Sequence, residues 1–315
     1  MRILVNNIHS TNATALIKML KRIKKYKIEV WGTDVAQQGY IAASNMVDKY
    51  FQSPDIDEEI NFFNFIKPLC ENNRIDMVLV CSDKEVRFMS KYKNQINSTI
   101  INPDNRIVSL FSDKYKSSID VEKLGVQIPP IITDFFHAKK IIFRKKCSVS
   151  SLGIYIVDFS NSSVIENHFK DGWFAQEFID GTTYIVDIFA DKNGVPKLIL
   201  PRKKLEVQNA SAFRSQIVNH KKIIELCKKI YDHYCIPGLS NIEFIEDKEG
   251  KLYFIEINLR FGGSASAGIM ASFNYLEQYL EHFLLNYELQ SLEYYMQYVG
   301  WDSVISRFYE ECLFS

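Results

Sequence analysis

The chain has 315 residues, 47% of them hydrophobic and 24% charged, and its 38 basic and 38 acidic side chains leave a formal net charge of zero. That length suffices for two or three domains with a sizeable core, and the balanced charge implies no polyanion-binding surface, so a nucleic-acid partner is not expected. Six cysteines (Cys70, Cys81, Cys147, Cys227, Cys235, Cys312) form no CxxC pair or His-rich cluster, which argues against structural zinc and a disulfide framework and fits a reducing cytoplasm. No apolar run approaches a membrane span, and the N-terminus reads as a short strand rather than a signal peptide.

In chain order, residues 2–7 read as a strand, 12–25 as an amphipathic helix and 28–34 as a second strand, the βαβ opening of a parallel sheet. The first turn, residues 6–12, contains no glycine, so a dinucleotide-binding fingerprint is rejected. A helix is expected over 59–72 and a buried strand over 76–81. Another helix opens at Ser82, with Glu85 completing a capping box, and a short strand follows over 98–102. Residues 105–124 read as one helix, ended by Gly125 and Pro129-Pro130. Strands over 141–146 and 154–159 flank a small hydroxyl-rich loop, residues 147–153, whose backbone N–H groups suit phosphate as well as an ordinary polar hairpin. Strands over 173–178, 184–190 and 196–200 form an antiparallel meander, left by the basic segment 201–204. A helix over 221–234, a hairpin, a helix over 265–286 and a tail complete the chain.

The hairpin carries the strongest chemical signal. Two strand-like runs, 241–246 and 251–259, flank the turn Asp247-Lys248-Glu249-Gly250. Alternation puts Phe254, Glu256, Asn258 and Arg260 on one face and Ile255, Ile257 and Leu259 on the other, core-facing side. With a four-residue turn, Glu243 joins the face of Glu256, across from Phe254 or close to it; a slip of one residue would remove it. Two carboxylates and an amide supply hard oxygen suited to Mg2+ shared with phosphate, and Arg260 suits bidentate phosphate contact. Spacing alone fits a solvent-facing polar edge equally well.

Four markers in order resemble the ATP-grasp superfamily, in particular the short single-module relatives of the carbamoyl-phosphate synthetase large subunit, of carboxylate-amine ligase type. They are Asp113-Lys114-Tyr115; Phe143-Arg144 through Ser150-Ser151-Leu152-Gly153-Ile154; Gln176-Glu177-Phe178-Ile179-Asp180-Gly181; and Glu243 with Phe254-Ile255-Glu256-Ile257-Asn258. The resemblance implies an α/β and α+β protein. A Rossmann-like pre-ATP-grasp domain would span 1–104, a small lid subdomain 105–175, and a large subdomain with the metal hairpin and a helical tail 176–315. It implies ATP as a substrate and Mg2+ as cofactor, with Mn2+ as a substitute. Lys114 would reach the α-phosphate. Arg144 matches the second basic position, which an alignment shift of one would move to Lys145. Ser150 and Ser151 would cover the phosphates. Gln176, Glu177, Phe178 and Ile179 would form the adenine-binding hinge. Thr183 stands where relatives carry a ribose-binding Glu. Glu243, Glu256 and Asn258 would hold the metal, and Arg260 would face the transferring phosphoryl group as the catalytic arginine.

Some residues depart from the pattern. Thr183 is a weaker ribose partner than a carboxylate, for which Asp187 could compensate. Cys147 and Val149 stiffen the phosphate loop, and Leu259 replaces the usual Pro of the Glu-x-Asn-Pro-Arg run. The implied reaction is ATP-dependent ligation: a carboxylate becomes an acyl-phosphate, an amine displaces phosphate, and ADP and phosphate leave. The alternatives are a nucleotide-binding homologue with reduced or lost catalysis, and a bicarbonate-activating carboxylase or carbamoyl-phosphate-type enzyme. The expected partners are small-molecule carboxylate and amine substrates whose identity the sequence does not reveal, and a second copy of the chain in a homodimer. Arg202, Lys204 and Arg214 are basic residues on the expected acceptor side. Of the six dispersed histidines none is assigned as a general base, and His9, in the first strand-end loop, is the best placed.

Overall fold

The computed structural model describes residues 1–133, 140–147, 153–158, 172–208, 211–308 and 313–314. Its first sheet is parallel, in the order β3-β2-β1-β4, built from β1 (Arg2–Val5), β2 (Glu29–Asp34), β3 (Lys49–Gln52) and β4 (Met77–Leu79). Strand neighbours move one way from β1 to β3 and the other way to β4, so the carboxyl ends of β1 and β4 bound a crevice at the switch point. Ile3 and Val5 pack under α1 (Thr11–Leu20). Leu4 points to the opposite layer, against Phe62 and Ile66 of α2 (Glu59–Asn73) and Phe88 of α3 (Asp83–Tyr92). Ser10 caps α1 by accepting from Ala13 N at 3.2 Å. The capping box expected at α3 is present: Ser82 Oγ accepts from Glu85 N at 3.2 Å and Glu85 Oε2 accepts from Ser82 N at 2.8 Å.

The strand expected over 98–102 is a single parallel bridge, Thr99 to Met77, whereas β3 was not anticipated. The helix expected over 105–124 is two, α4 (Asn105–Ser112) and α5 (Lys114–Glu122). They break at Asp113, whose extended backbone (φ −105°, ψ 104°) lets its carboxylate accept from Tyr115 N and Lys116 N, both at 3.1 Å. Lys114 therefore opens a helix instead of lying within one.

A small antiparallel sheet, order β6-β5-β7, joins β5 (Lys140–Lys145), β6 (Ile154–Asp158) and β7 (Trp173–Glu177). The large antiparallel sheet contains β8 (Gly181–Ala190), β9 (Pro196–Gln208), β10 (Ser211–Ile217), β11 (Gly238–Asp247), β12 (Leu252–Asn258) and β13 (Val304–Ser306), in the order β12-β11-β8-β9-β10-β13. The basic segment 201–204 does not leave the meander: it continues β9, paired with β8 and β10. The tail returns as β13. Ile242, Phe244, Phe254, Ile257 and Leu259 pack with Ile223, Cys227, Ile230 and Tyr231 of α6 (Lys221–Tyr234). The helix expected over 265–286 is divided into α7 (Ser266–Met270) and α8 (Tyr275–Leu285), before the short α9 (Leu292–Met296).

The hairpin contains a β-bulge. Glu243 pairs with Glu256 and the next residue, Phe244, pairs with Phe254, leaving Ile255 as the extra residue. Below the bulge the faces exchange. Phe254, expected beside Glu256, is instead fully buried with its ring centroid 6.1 Å from that of Phe244. Ile255, expected in the core, lines a cleft. Among the described residues no helix is long and apolar enough to cross a membrane.

Candidate active site

The cleft has a volume of about 600 Å3, and residues of the hairpin, of α5, of β5 and of the carboxyl edge of the first sheet line it. Glu256 is its electrostatic centre. Its Oε2 lies 2.8 Å from Lys114 Nζ and 3.3 Å from Arg144 Nη2. The Asp113 break puts Lys114 at a helix start facing the hairpin. Arg144 alternates inward on β5, where it donates to Gln176 Oε1 at 3.2 Å and to the Ile255 carbonyl at 3.3 Å. The bulge places that carbonyl there. Gln176 is itself fixed by donating to the Pro129 carbonyl at 3.1 Å. Beside Glu256, Asn258 donates to Glu256 Oε1 at 3.3 Å and to Asn241 Oδ1 at 3.1 Å. Arg260 donates to Asn258 Oδ1 at 3.1 Å and to Asp83 Oδ2 at 3.3 Å, tying the hairpin to the start of α3. Across the hairpin, Glu243 accepts from Lys204 Nζ at 3.0 Å.

Burial opposes ionisation of Glu256, but Lys114 and Arg144 outweigh it and hold its carboxyl down at about 2. Burial also lowers the Arg144 guanidinium from its usual value. Because the folded-state value of Glu256 lies below the ordinary 4.5, its ionisation stabilises the fold fully above about 4.5, and that contribution disappears as pH falls towards about 2. The difference in urea stability between the wild type and Glu256→Gln is therefore expected to shrink across that window in metal-free protein. A difference independent of pH would contradict the charge assignment.

The structure brings together Lys114, Arg144, Gln176, Glu243, Glu256, Asn258 and Arg260. It separates Arg144 from Lys145, which is exposed and lies 5.3 Å from the Trp173 ring. Glu177, Phe178, Ile179 and Thr183 are not part of this cleft's lining. Glu177 is exposed, the Phe178 ring lies 4.3 Å from Lys140 Nζ, and Thr183 pairs with Ile245 in the sheet. Ser150 and Ser151 lie outside the described residues. Asp187 cannot compensate at a ribose: it is buried in a bidentate pair with Arg202, at 2.7 and 2.8 Å. That pair also removes Arg202 from substrate binding, and Arg214 is a surface residue 3.4 Å from Glu206. Two contributors were not anticipated. Asp83 reaches Arg260 only through the tertiary fold. Asn241, two residues before Glu243 on the same strand face, was accessible to the alternation argument.

Among the described residues no group of three or more His, Cys, Asp or Glu side chains could by itself hold a metal ion. The donor set nevertheless suits Mg2+ shared with a ligand. Glu243 and Glu256 face each other in register, Glu256 is held ionised, and Asn258 adds an amide oxygen.

A family model described as "ATP-grasp in the biosynthetic pathway with Ter operon" matches residues 169–298, and a "PylC-like, N-terminal domain" model matches residues 8–103. No curated protein sequence matches the chain significantly. Solved structures do. The biotin carboxylase domain of the 2-oxoglutarate carboxylase from Hydrogenobacter thermophilus, determined with MgADP, ADP and bicarbonate, aligns with TM-score 0.73 at 16% identity, over 96% of this chain and 73% of that one. N5-carboxyaminoimidazole synthetase from Staphylococcus aureus aligns with TM-score 0.70 at 14% identity, over 92% and 78%. An L-amino acid ligase from Bacillus licheniformis aligns with TM-score 0.70 at 14% identity, over 95% and 77%. At these identities the likeness to the solved structures is one of fold. Together the comparisons give the chain an ATP-grasp fold, with a segment similar to an ATP-grasp domain over residues 169–298 behind one similar to a PylC-like N-terminal domain over residues 8–103.

Proposed function

We propose that the protein is an ATP-dependent, ADP-forming ligase that activates a small-molecule carboxylate as an acyl-phosphate and joins it to an amine. One observation carries this reading: Glu256 is gripped by Lys114 from α5 and Arg144 from β5, so metal-type carboxylate and phosphate-type cations converge from separate elements. The proposed division of labour follows the domain reading, with 1–104 bounding the acceptor side, 105–175 covering the nucleotide and 176–315 presenting the hairpin. Glu243, Glu256 and Asn258 would hold Mg2+, which would supply neutralisation of phosphate charge. Lys114 and Arg144 exchange their contact with Glu256 for phosphate oxygens as the nucleotide enters. Arg260, steadied by Asp83, presents its guanidinium to the phosphoryl group as the carboxylate oxygen attacks. Catalysis of this kind is mainly positioning and charge stabilisation.

The test is Mg2+-dependent ADP release from ATP with the free amino acids, supplied singly and in pairs, and with bicarbonate as a separate arm. Release that requires an amino acid and yields an amide is expected. ATP binding without turnover across the panel, or release that requires bicarbonate alone, would overturn the ligase reading.

A further inference from the structure

The cleft has a second wall, made by the switch-point edge of the first sheet, and it carries a histidine–carboxylate pair. His9 follows β1 and Asp34 ends β2. His9 Nδ1 lies 2.8 Å from Asp34 Oδ2, and the His9 backbone N–H donates to the same oxygen at 2.9 Å. Asp34 Oδ1 accepts from Ala36 N at 3.4 Å. The Asp34 side chain is 1% exposed and that of His9 is 55% exposed. Both line the cleft that contains Glu256 and Arg260. A carboxylate only accepts, so Nδ1 carries the ring proton and Nε2 is left as a base. The buried partner fixes the ring while the ring itself stays open to a substrate.

The two walls are tied closely at this point. Arg260 reaches Asp83 at the start of α3, and Gly263, just beyond Arg260, passes the start of α1. A Cβ on Gly263 would fall 2.4 Å from Asn12 Oδ1 and 3.0 Å from Thr11 Oγ1. Thr11 is two residues from His9, so the backbone following the phosphoryl-side arginine lies against the turn that bears the histidine.

Resting on the ligase reading above, we propose that His9 is the base that deprotonates the incoming amine and that Asp34 is its positioning residue. An amine arrives as an ammonium ion with no lone pair. His9 Nε2 takes one of its protons, and the freed electron pair forms the C–N bond at the acyl-phosphate carbonyl. The bond from that carbon to the phosphate oxygen breaks, and phosphate leaves with the electron pair. The second amine proton departs with it as hydrogen phosphate. The exposed imidazolium then returns its proton to water.

The test uses the full-length protein, the amino-acid pool that supports ADP release, and hydroxylamine as a competing nucleophile that is already neutral near pH 7. In His9→Ala the ratio of amide to hydroxamate is expected to fall about 100-fold, the usual size of a general-base contribution. Free imidazole restores the ratio in part. Asp34→Asn shifts it in the same direction. Amide and hydroxamate falling together, or an unchanged ratio, would overturn the role of His9 while leaving the ligase reading intact. A wild type that forms neither product removes the ligase reading, and this proposal with it.

Discussion

Glu256→Gln is expected to lower Mg2+-dependent ADP release about a thousandfold, the scale of losing one preorganised electrostatic group at a phosphoryl-transfer site. The substitution keeps the side chain's shape and its Oε1 acceptor. It removes the negative charge that Lys114 and Arg144 share at 2.8 and 3.3 Å. Two consequences follow from one change. The proposed metal loses its ionised oxygen, and two cations that converge on one carboxylate are left facing each other. The drop of the Glu256 carboxyl from 4.5 to about 2 corresponds to roughly 3 kcal/mol of folded-state stabilisation by its ionisation at neutral pH. The fold should therefore survive, with an unchanged far-ultraviolet circular dichroism spectrum and weaker Mg-ADP binding by calorimetry. Undiminished ADP release in a folded variant would remove Glu256 from the chemistry.

Asp187→Asn is expected to destabilise the protein by about 3–5 kcal/mol, because it leaves a buried guanidinium without its counter-charge. Arg202 is fully buried and its bidentate partner on the neighbouring strand is Asp187. The asparagine keeps one oxygen that can accept from Arg202, and the contact from Arg202 Nη2 to Ser264 Oγ at 3.1 Å remains, but neither supplies a negative charge. Replacing both members, as Asp187→Leu with Arg202→Met, should recover most of the loss, since an apolar pair needs no partner. Urea unfolding followed by tryptophan fluorescence compares the three proteins. A single variant as stable as the wild type, or a double variant no better than the single, would show that the pair contributes little.

The sequence was most informative where local periodicity and chemistry agree. Glu256 and Asn258 were legible because strand residues two apart share a face, whereas the four-residue turn sets Glu243 across from Phe254, and it is the bulge that brings it across from Glu256. The same rule misplaced Phe254 and Ile255, since a bulge changes the count without any marker such as glycine or proline at that point. Arg144 and Lys145 are adjacent and chemically alike, so only the direction of β5 separates them. Lys203 and Lys204 read as a solvated exit because charge outweighed strand propensity. In the fold, Lys204 lies on a strand of the sheet whose polar face bounds the cleft, where Glu243 neutralises it. Asp113 shows how a capping side chain interrupts an otherwise helical stretch, and that interruption aims Lys114. The contacts Asp83–Arg260 and Asp34–His9 join residues 177 and 25 positions apart, and no local pattern anticipates either.

The acyl-phosphate is the centre of the account, and isotope transfer tests it most directly. The amino-acid pool is labelled with oxygen-18 in its carboxylates and turned over with unlabelled Mg-ATP, and the released phosphate is read by mass spectrometry. Attack of the carboxylate on the γ-phosphate, followed by displacement by the amine, carries one labelled oxygen into each phosphate. Phosphate free of label, formed while amide product accumulates, would contradict the account.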